Sequence, residues 1–271
     1  MTSKRTSLLA IVADPPASGT ALVVDAVAAA ARRRDRADGS ALAAAQRLLD
    51  AGRADDARAA LAPLAADPTT AVRAHACLLY AGLLLMAGRA DEALRALAAV
   101  PRTAPFAVDE GYRRMIEACA LRQARRYPEA LAAARGAVEL GATSGRLLVL
   151  ADAQKHAGEL HAAVRTLAAL LDDEPGNLTA LAQLAGYRNL LGDRDEAARL
   201  HARFRALDDG SADARRNDAF YHATRGDLAP ALAALEIALR AEPEATRSYI
   251  ADEVELERYR TDERLRALTA R

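Results

Sequence analysis

From Ser40 onward, apolar residues return in helical register over stretches of about a dozen positions, and each stretch is broken by a short polar joint. The clearest joint is Met86-Ala87-Gly88-Arg89-Ala90-Asp91-Glu92-Ala93-Leu94. The apolar run before Gly88 ends a helix on a glycine that is free to take left-handed backbone. Asp91 and Glu92 then fall in the first turn of the next helix, where the positive end of its dipole favours acids. This pattern predicts a helical hairpin, and versions of the joint recur from near residue 50 to near residue 235. Upstream, Asp14-Pro15-Pro16 and Ser18-Gly19 predict a loop, and residues 20–34 a helix that can cap the series. Downstream of Pro243 the chain is charged on most faces, with Ile250, Val254, Tyr259, Leu265 and Leu268 as the apolar minority. That pattern suits one or two terminal helices covering the open side of the last hairpin.

The joints are regularly spaced. Five residues after each joint glycine, or after the residue that replaces it, stand Ala57, Ala93, Ala130, Ala163, Ala197 and Ala231, at steps of 36, 37, 33, 34 and 34. Twelve residues before each of these, in the first helix of the hairpin, stand Ala45, Ala81, Ala118, Ala151, Ala185 and Ala219. Two antiparallel helices with axes about 8–10 Å apart need small side chains where they cross. A larger residue there overpacks the contact at a cost of roughly 1–3 kcal/mol.

In these features the chain resembles the tetratricopeptide repeat family, in about six repeats over roughly residues 39–243. The motifs that carry the resemblance are Gly52-Arg-Ala-Asp-Asp-Ala57, Gly88-Arg-Ala-Asp-Glu-Ala93, Arg125-Arg-Tyr-Pro-Glu-Ala130, Gly158-Glu-Leu-His-Ala-Ala163, Gly192-Asp-Arg-Asp-Glu-Ala197 and Gly226-Asp-Leu-Ala-Pro-Ala231. Closing prolines match at Pro68, Pro175 and Pro243, while Pro101 comes early. The family's bulky aromatic in the second helix is leucine at Leu61, Leu97, Leu167 and Leu235, with Ala134 and His201 as exceptions. Its first-helix tyrosine becomes Leu48, Leu84 and Leu121, then Gln154, Arg188 and His222.

The resemblance implies an all-α, right-handed superhelical solenoid. An N-terminal segment with a helix would occupy residues 1–38, the repeats 39–243 and capping helices 244–271. It also implies a concave groove lined by the first helix of each repeat. In the N-terminal half the inward positions are Leu42, Gln46, Leu78, Gly82, Leu85, Met115, Cys119 and Leu148. Further along they are Asp152, Lys155, Ala182, Gly186, Asn189, Arg216 and Phe220. Leu78, Leu79, Leu85, Met86 and Met115 exceed what the helix crossings require. Their adaptable side chains suit a helical or extended apolar ligand, or else they pack against helices of the same chain, the N-terminal segment included. Family members that hold a free C-terminal carboxylate use paired Lys and Asn, where this chain has Leu42/Gln46 and Leu78/Gly82.

Composition narrows the function. Thirty-seven basic and 37 acidic residues cancel, so nothing asks for nucleic acid or an anionic membrane. Cys77 and Cys119 make neither a disulfide framework nor a zinc site, and read as buried thiols in a reducing compartment. The apolar run 8–13 is too short for a secretory core, and no span reaches the roughly 20 apolar residues of a membrane helix, so a cytoplasmic location is expected.

None of the five histidines pairs three or four residues from another on one helix. His156 and His161 straddle the Gly158 joint, as exposed turn residues or as sharers of a metal. His201 and His222 take aromatic core positions and can meet between the fifth and sixth repeats, as a hydrogen-bonded pair or an acid–base site. With no phosphate loop and no nucleophile elbow, no catalytic residue, metal or cofactor is expected. Arg113, Arg114, Arg122, Arg125 and Arg126 surround Tyr112 as a solvated face or a contact for an acidic partner. The favoured reading is an adaptor or chaperone-like scaffold holding a segment of another protein around Leu78, Leu85, Met115 and Leu148. Two others stay open, self-assembly into a homo-oligomer and a peptide-sensing regulator.

Overall fold

The computed structural model of the chain describes residues 39–51, 53–66, 73–100 and 110–269. The helix expected over 20–34, together with Gly52, Pro68, Pro101 and the side chain of Gln46, lies outside the described residues. Those residues form fifteen helices and no strand. The first twelve pair into hairpins: α1 (Gly39–Asp50) with α2 (Ala54–Ala66), α3 (Arg73–Met86) with α4 (Ala90–Ala98), α5 (Glu110–Gln123) with α6 (Tyr127–Glu139), α7 (Ser144–His156) with α8 (Leu160–Asp173), α9 (Leu178–Leu190) with α10 (Arg194–Leu207), and α11 (Ala212–Arg225) with α12 (Leu228–Ala241). Three helices follow, α13 (Pro243–Asp252), α14 (Val254–Glu257) and α15 (Glu263–Thr269). The chain divides into two compact units between Val149 and Leu150, inside α7. In the first, α2 packs on α3, α4 on α5 and α3 on α5; in the second, α8 packs on α9 and α9 on α11.

The alanine register is where the hairpins close. Ala45, Ala57, Ala81, Ala93, Ala118 and Ala130 in the first unit, and Ala151, Ala163, Ala185, Ala197, Ala219 and Ala231 in the second, are all at most 1% exposed. A small buried side chain at each crossing meets the condition for the close approach of the two axes.

The joints share one backbone device. Gly88, Gly158, Gly192 and Gly226 have φ between 71° and 90°. At Gly88 the glycine N–H bonds the Leu85 carbonyl (3.0 Å) and the next N–H, of Arg89, bonds Leu84 (2.8 Å). This pair of reversed bonds satisfies carbonyls that the helix end leaves open. The same pair recurs at Arg125 and Arg126 with Arg122 and Leu121, both 2.8 Å. Arg125 accordingly sits at φ 60°, the one non-glycine with positive φ among the described residues. The geometry of the turn overrides the preference of the side chain.

The polar residues standing in the family's aromatic positions are accommodated by pairing. Gln154 Oε1 accepts from Thr166 Oγ1 at 2.9 Å, and Arg188 pairs with Asp193 at 3.3 Å. After Pro243, α13 and α15 pack on α12 while α14 packs on α11, and Tyr249, Ile250, Leu256 and Leu265 are buried there.

Two substitutions test this account. Ala185→Leu is expected to lower stability by roughly 1–3 kcal/mol by overpacking the crossing of α9 and α10. Arg125→Gly is expected to raise it by roughly 0.5–1 kcal/mol, because relief of the left-handed strain exceeds the entropy that glycine adds to the unfolded chain. Urea unfolding followed by circular dichroism reads both, as opposite shifts of the midpoint.

Candidate partner-binding faces

In the first unit the positions implied as inward-facing are closed over. Helix α3 has eleven of its 14 residues buried, so it is apolar and covered nearly all round. Leu78, Leu85 and Met115 are 1% exposed, Leu148 3% and Cys119 4%, with Leu42 and Gly82 buried as well. The chain's own atoms cover these side chains, and a partner segment does not touch them without displacing part of the chain. An aspartate at Leu78 or Met115 therefore tests the integrity of this core, whereas on an open groove it would test capture. Three of the arginines around Tyr112, namely Arg113, Arg114 and Arg126, are paired with acids nearby in the chain. Arg113 is buried and donates to Glu110 (2.8 Å) and Glu117 (3.2 Å), and Arg126 pairs with Glu129 at 2.6 Å. Both cysteines are buried free thiols, and burial raises the pKa of Cys77.

In the second unit the implied positions meet the chain's own C-terminal segment. Lys155, near the end of α7, donates from Nζ to Glu255 Oε2 at 2.8 Å and to Glu253 Oε1 at 3.1 Å. The three side chains are 7%, 11% and 12% exposed, so this is a nearly buried charge cluster. The ammonium also lies 5.0 Å from the centre of the Phe220 ring on α11. Phe220 meets Tyr187 of α9 edge to face at 5.9 Å and occupies the space that a Cβ on Gly186 would need. Arg216, 3% exposed, donates to Thr246 Oγ1 (3.1 Å) and Glu242 (2.9 Å) and pairs with Asp213. Asn189 Nδ2 donates to Thr224 Oγ1 at 3.2 Å, and Asp152 stands 3.5 Å from His156. Residues 242–257 thus form a strap against the first helices of this unit, held by Lys155 at one point and by Arg216 at another. Glu253 and Glu255 escaped sequence reasoning because they are two acids in a tail charged on most faces, with no periodicity to single them out.

Across α10 and α11, His201 Nε2 donates to Asp218 Oδ1 at 2.7 Å, and His222 Nε2 lies 3.7 Å from the same oxygen. The two imidazoles, paired in the sequence reading, meet edge to face with centroids 5.4 Å apart. The carboxylate that joins them is the addition.

A family model described as "Tetratricopeptide repeat" matches residues 48–116, which span α2 to α4 with the end of α1 and the start of α5. Over that span the chain is similar to tetratricopeptide repeat proteins, in agreement with the helical hairpins. No curated protein matches it. Tetratricopeptide repeats generally mediate protein–protein interaction and form scaffolds that are typically non-enzymatic. Among the described residues no helix is long and apolar enough to cross a membrane.

In the second unit the strap is fastened by charges that burial opposes. Burial alone would lower the pKa of Lys155, but Glu253, Glu255 and Asp152 outweigh it and raise it, so the ammonium stays charged. Burial would raise Glu253, but Lys155 reverses this and holds it well below the usual carboxylate range. Glu255 is the carboxyl left over. Burial first, and then the hydrogen bond and charge of Glu253, push it up to about 8.

Unfolding between about pH 4.5 and about 8 therefore releases a proton that the folded chain holds at Glu255, so this site's contribution to stability falls as pH rises through that window. Glu255→Gln, which copies the protonated form, is expected to make the dependence of stability on pH less negative there by up to about 1.4 kcal/mol per pH unit. Urea midpoints for both chains across the window measure it, and parallel profiles would rule the arrangement out.

Proposed function

We propose that this chain is a protein-interaction scaffold or adaptor that holds a helical or extended segment of a partner protein against the first helices of its hairpins. The observation that carries the reading is the strap itself. The first helices of the second unit already hold a polypeptide segment, through an ammonium that takes a carboxylate and a neighbouring carboxyl and an arginine that takes a carboxylate and a hydroxyl. A face built to pair with one acidic, partly apolar segment has the chemistry to accept another of the same kind, by the helix-in-groove mode of recognition. The family supports the same class of function, and the neutral overall charge is consistent with a protein partner over a polyanion. In this reading the strap competes with the partner, and the protein acts by assembly in place of chemistry.

Lys155→Met tests it in the full chain. Without the ammonium, the buried Glu253 carboxylate loses its counter-charge, an arrangement that costs roughly 3–5 kcal/mol and drives the strap off its face. The variant is expected to keep its helical hairpins, to become sensitive to proteolysis within residues 243–257, and to capture more partner from native lysate than the wild type. Cross-links to the captured protein should fall on α9 and α11. Specific capture by neither form, or cross-links confined to α8, α10 and α12, would refute the assignment.

A further inference from the structure

We propose that His201, Asp218 and His222 form a binding site for a divalent transition-metal ion of the zinc class. Two of the ligands come from one helix and the third from its neighbour. Asp218 and His222 are four residues apart and share a face of α11, which is a spacing that lets two side chains reach one ion, and His201 approaches from α10.

The distances suit an ion. One ligand atom from each residue lies within 4.8 Å of the others, and the contacts to Asp218 Oδ1 are 2.7 and 3.7 Å. Ligand atoms on a tetrahedral zinc with bonds of about 2.0–2.1 Å stand about 3.3 Å apart, so small side-chain rotations convert the present hydrogen bond into coordination. Two imidazoles and a carboxylate are a donor set that zinc and its neighbours in the transition series accept, with a fourth position left for water or for a group from a partner.

The surroundings are arranged as a ligand set requires. His201 is stacked on Tyr221 with centroids 3.7 Å apart and planes within 8°, which fixes its orientation. The outer oxygen of Asp218, Oδ2, accepts from Arg205 at 3.1 Å and leaves Oδ1 to the histidines. Carboxylate ligands are commonly held by such an outer hydrogen bond. Two cations oppose the site. Arg205 has a side chain 50% exposed, with Asp208 3.8 Å away as an alternative partner, and Arg225, which acts on His222, is paired with Asp227 at 2.8 Å. The side chains of His201, Asp218 and His222 are 14%, 9% and 21% exposed, enough for an ion to enter. The Nδ1 atom of His222 is buried with no hydrogen-bond partner. An ion here would cross-link the fifth and sixth hairpins.

The test is titration of the full chain with zinc chloride by calorimetry, with cobalt(II) as a spectroscopic substitute. The wild type is expected to take up a single zinc ion per chain, to melt at a higher temperature with zinc, and to give the intense visible bands of a four-coordinate cobalt site. His201→Gln and His222→Gln are each expected to weaken binding by at least about tenfold. Should either variant fail to fold, the wild-type chain still decides the matter, because bound zinc must protect His201 and His222, and not His75, His156 or His161, from carbethoxylation. No saturable uptake, uptake unchanged in both folded variants, or protection falling on other histidines would overturn the proposal.

Discussion

Twelve buried methyl groups determine how closely the two helices of each hairpin approach, and the rest of the structure is built on that distance. With alanine at each crossing the helices nest. The leucines one turn away, Leu61, Leu84, Leu97, Leu167 and Leu235, then reach the neighbouring helices and become buried. Where the family's large aromatics would fill the space between repeats, this chain fills it with leucine in the first unit. In the second unit leucine keeps the second-helix positions Leu167 and Leu235, and the first-helix positions carry Gln154, Arg188 and His222, each beside a polar neighbour. The strength of the close approach is visible at Arg125, which accepts left-handed backbone so that the joint keeps its form.

Polar substitution in the second unit carries consequences of its own. Gln154 binds Thr166, and His222 joins His201 through Asp218. Lys155 is completed by two acids almost a hundred positions later in the chain. Buried charges of this kind contribute little net stability compared with apolar packing, but they are demanding about geometry. They specify where the C-terminal segment lies, and because one carboxyl in the cluster holds a proton in the neutral range, that placement is tied to pH.

The two units therefore differ in chemistry. The first is apolar at its inward positions and covers them with its own atoms. The second has Asp152, Lys155, Asn189 and Arg216 among the equivalent positions and covers Lys155 and Arg216 with a segment fastened by charge. A charge-fastened segment is the more readily exchanged of the two, since water and counter-ions compensate exposed carboxylates and ammonium groups far better than they compensate leucine and methionine. This asymmetry places the proposed partner exchange, and the metal-binding cluster beside it, in the second unit.

The helical hairpins, their spacing and the small residues at each crossing were legible in the sequence because they depend on local backbone preference and on a period that repeats along the chain. Asp218 and His222 were also within reach as a pair four residues apart on one helix, but nothing local ties them to His201. Which apolar side chains stay open to a partner was not legible. Leu78 and Met115 carry the same residue types whether they meet another protein or their own chain, and only the packed structure distinguishes the two. The meeting of Lys155 with Glu253 and Glu255 was likewise decided by tertiary structure, because attraction between charges depends on their separation in space, and separation along the chain says nothing about it.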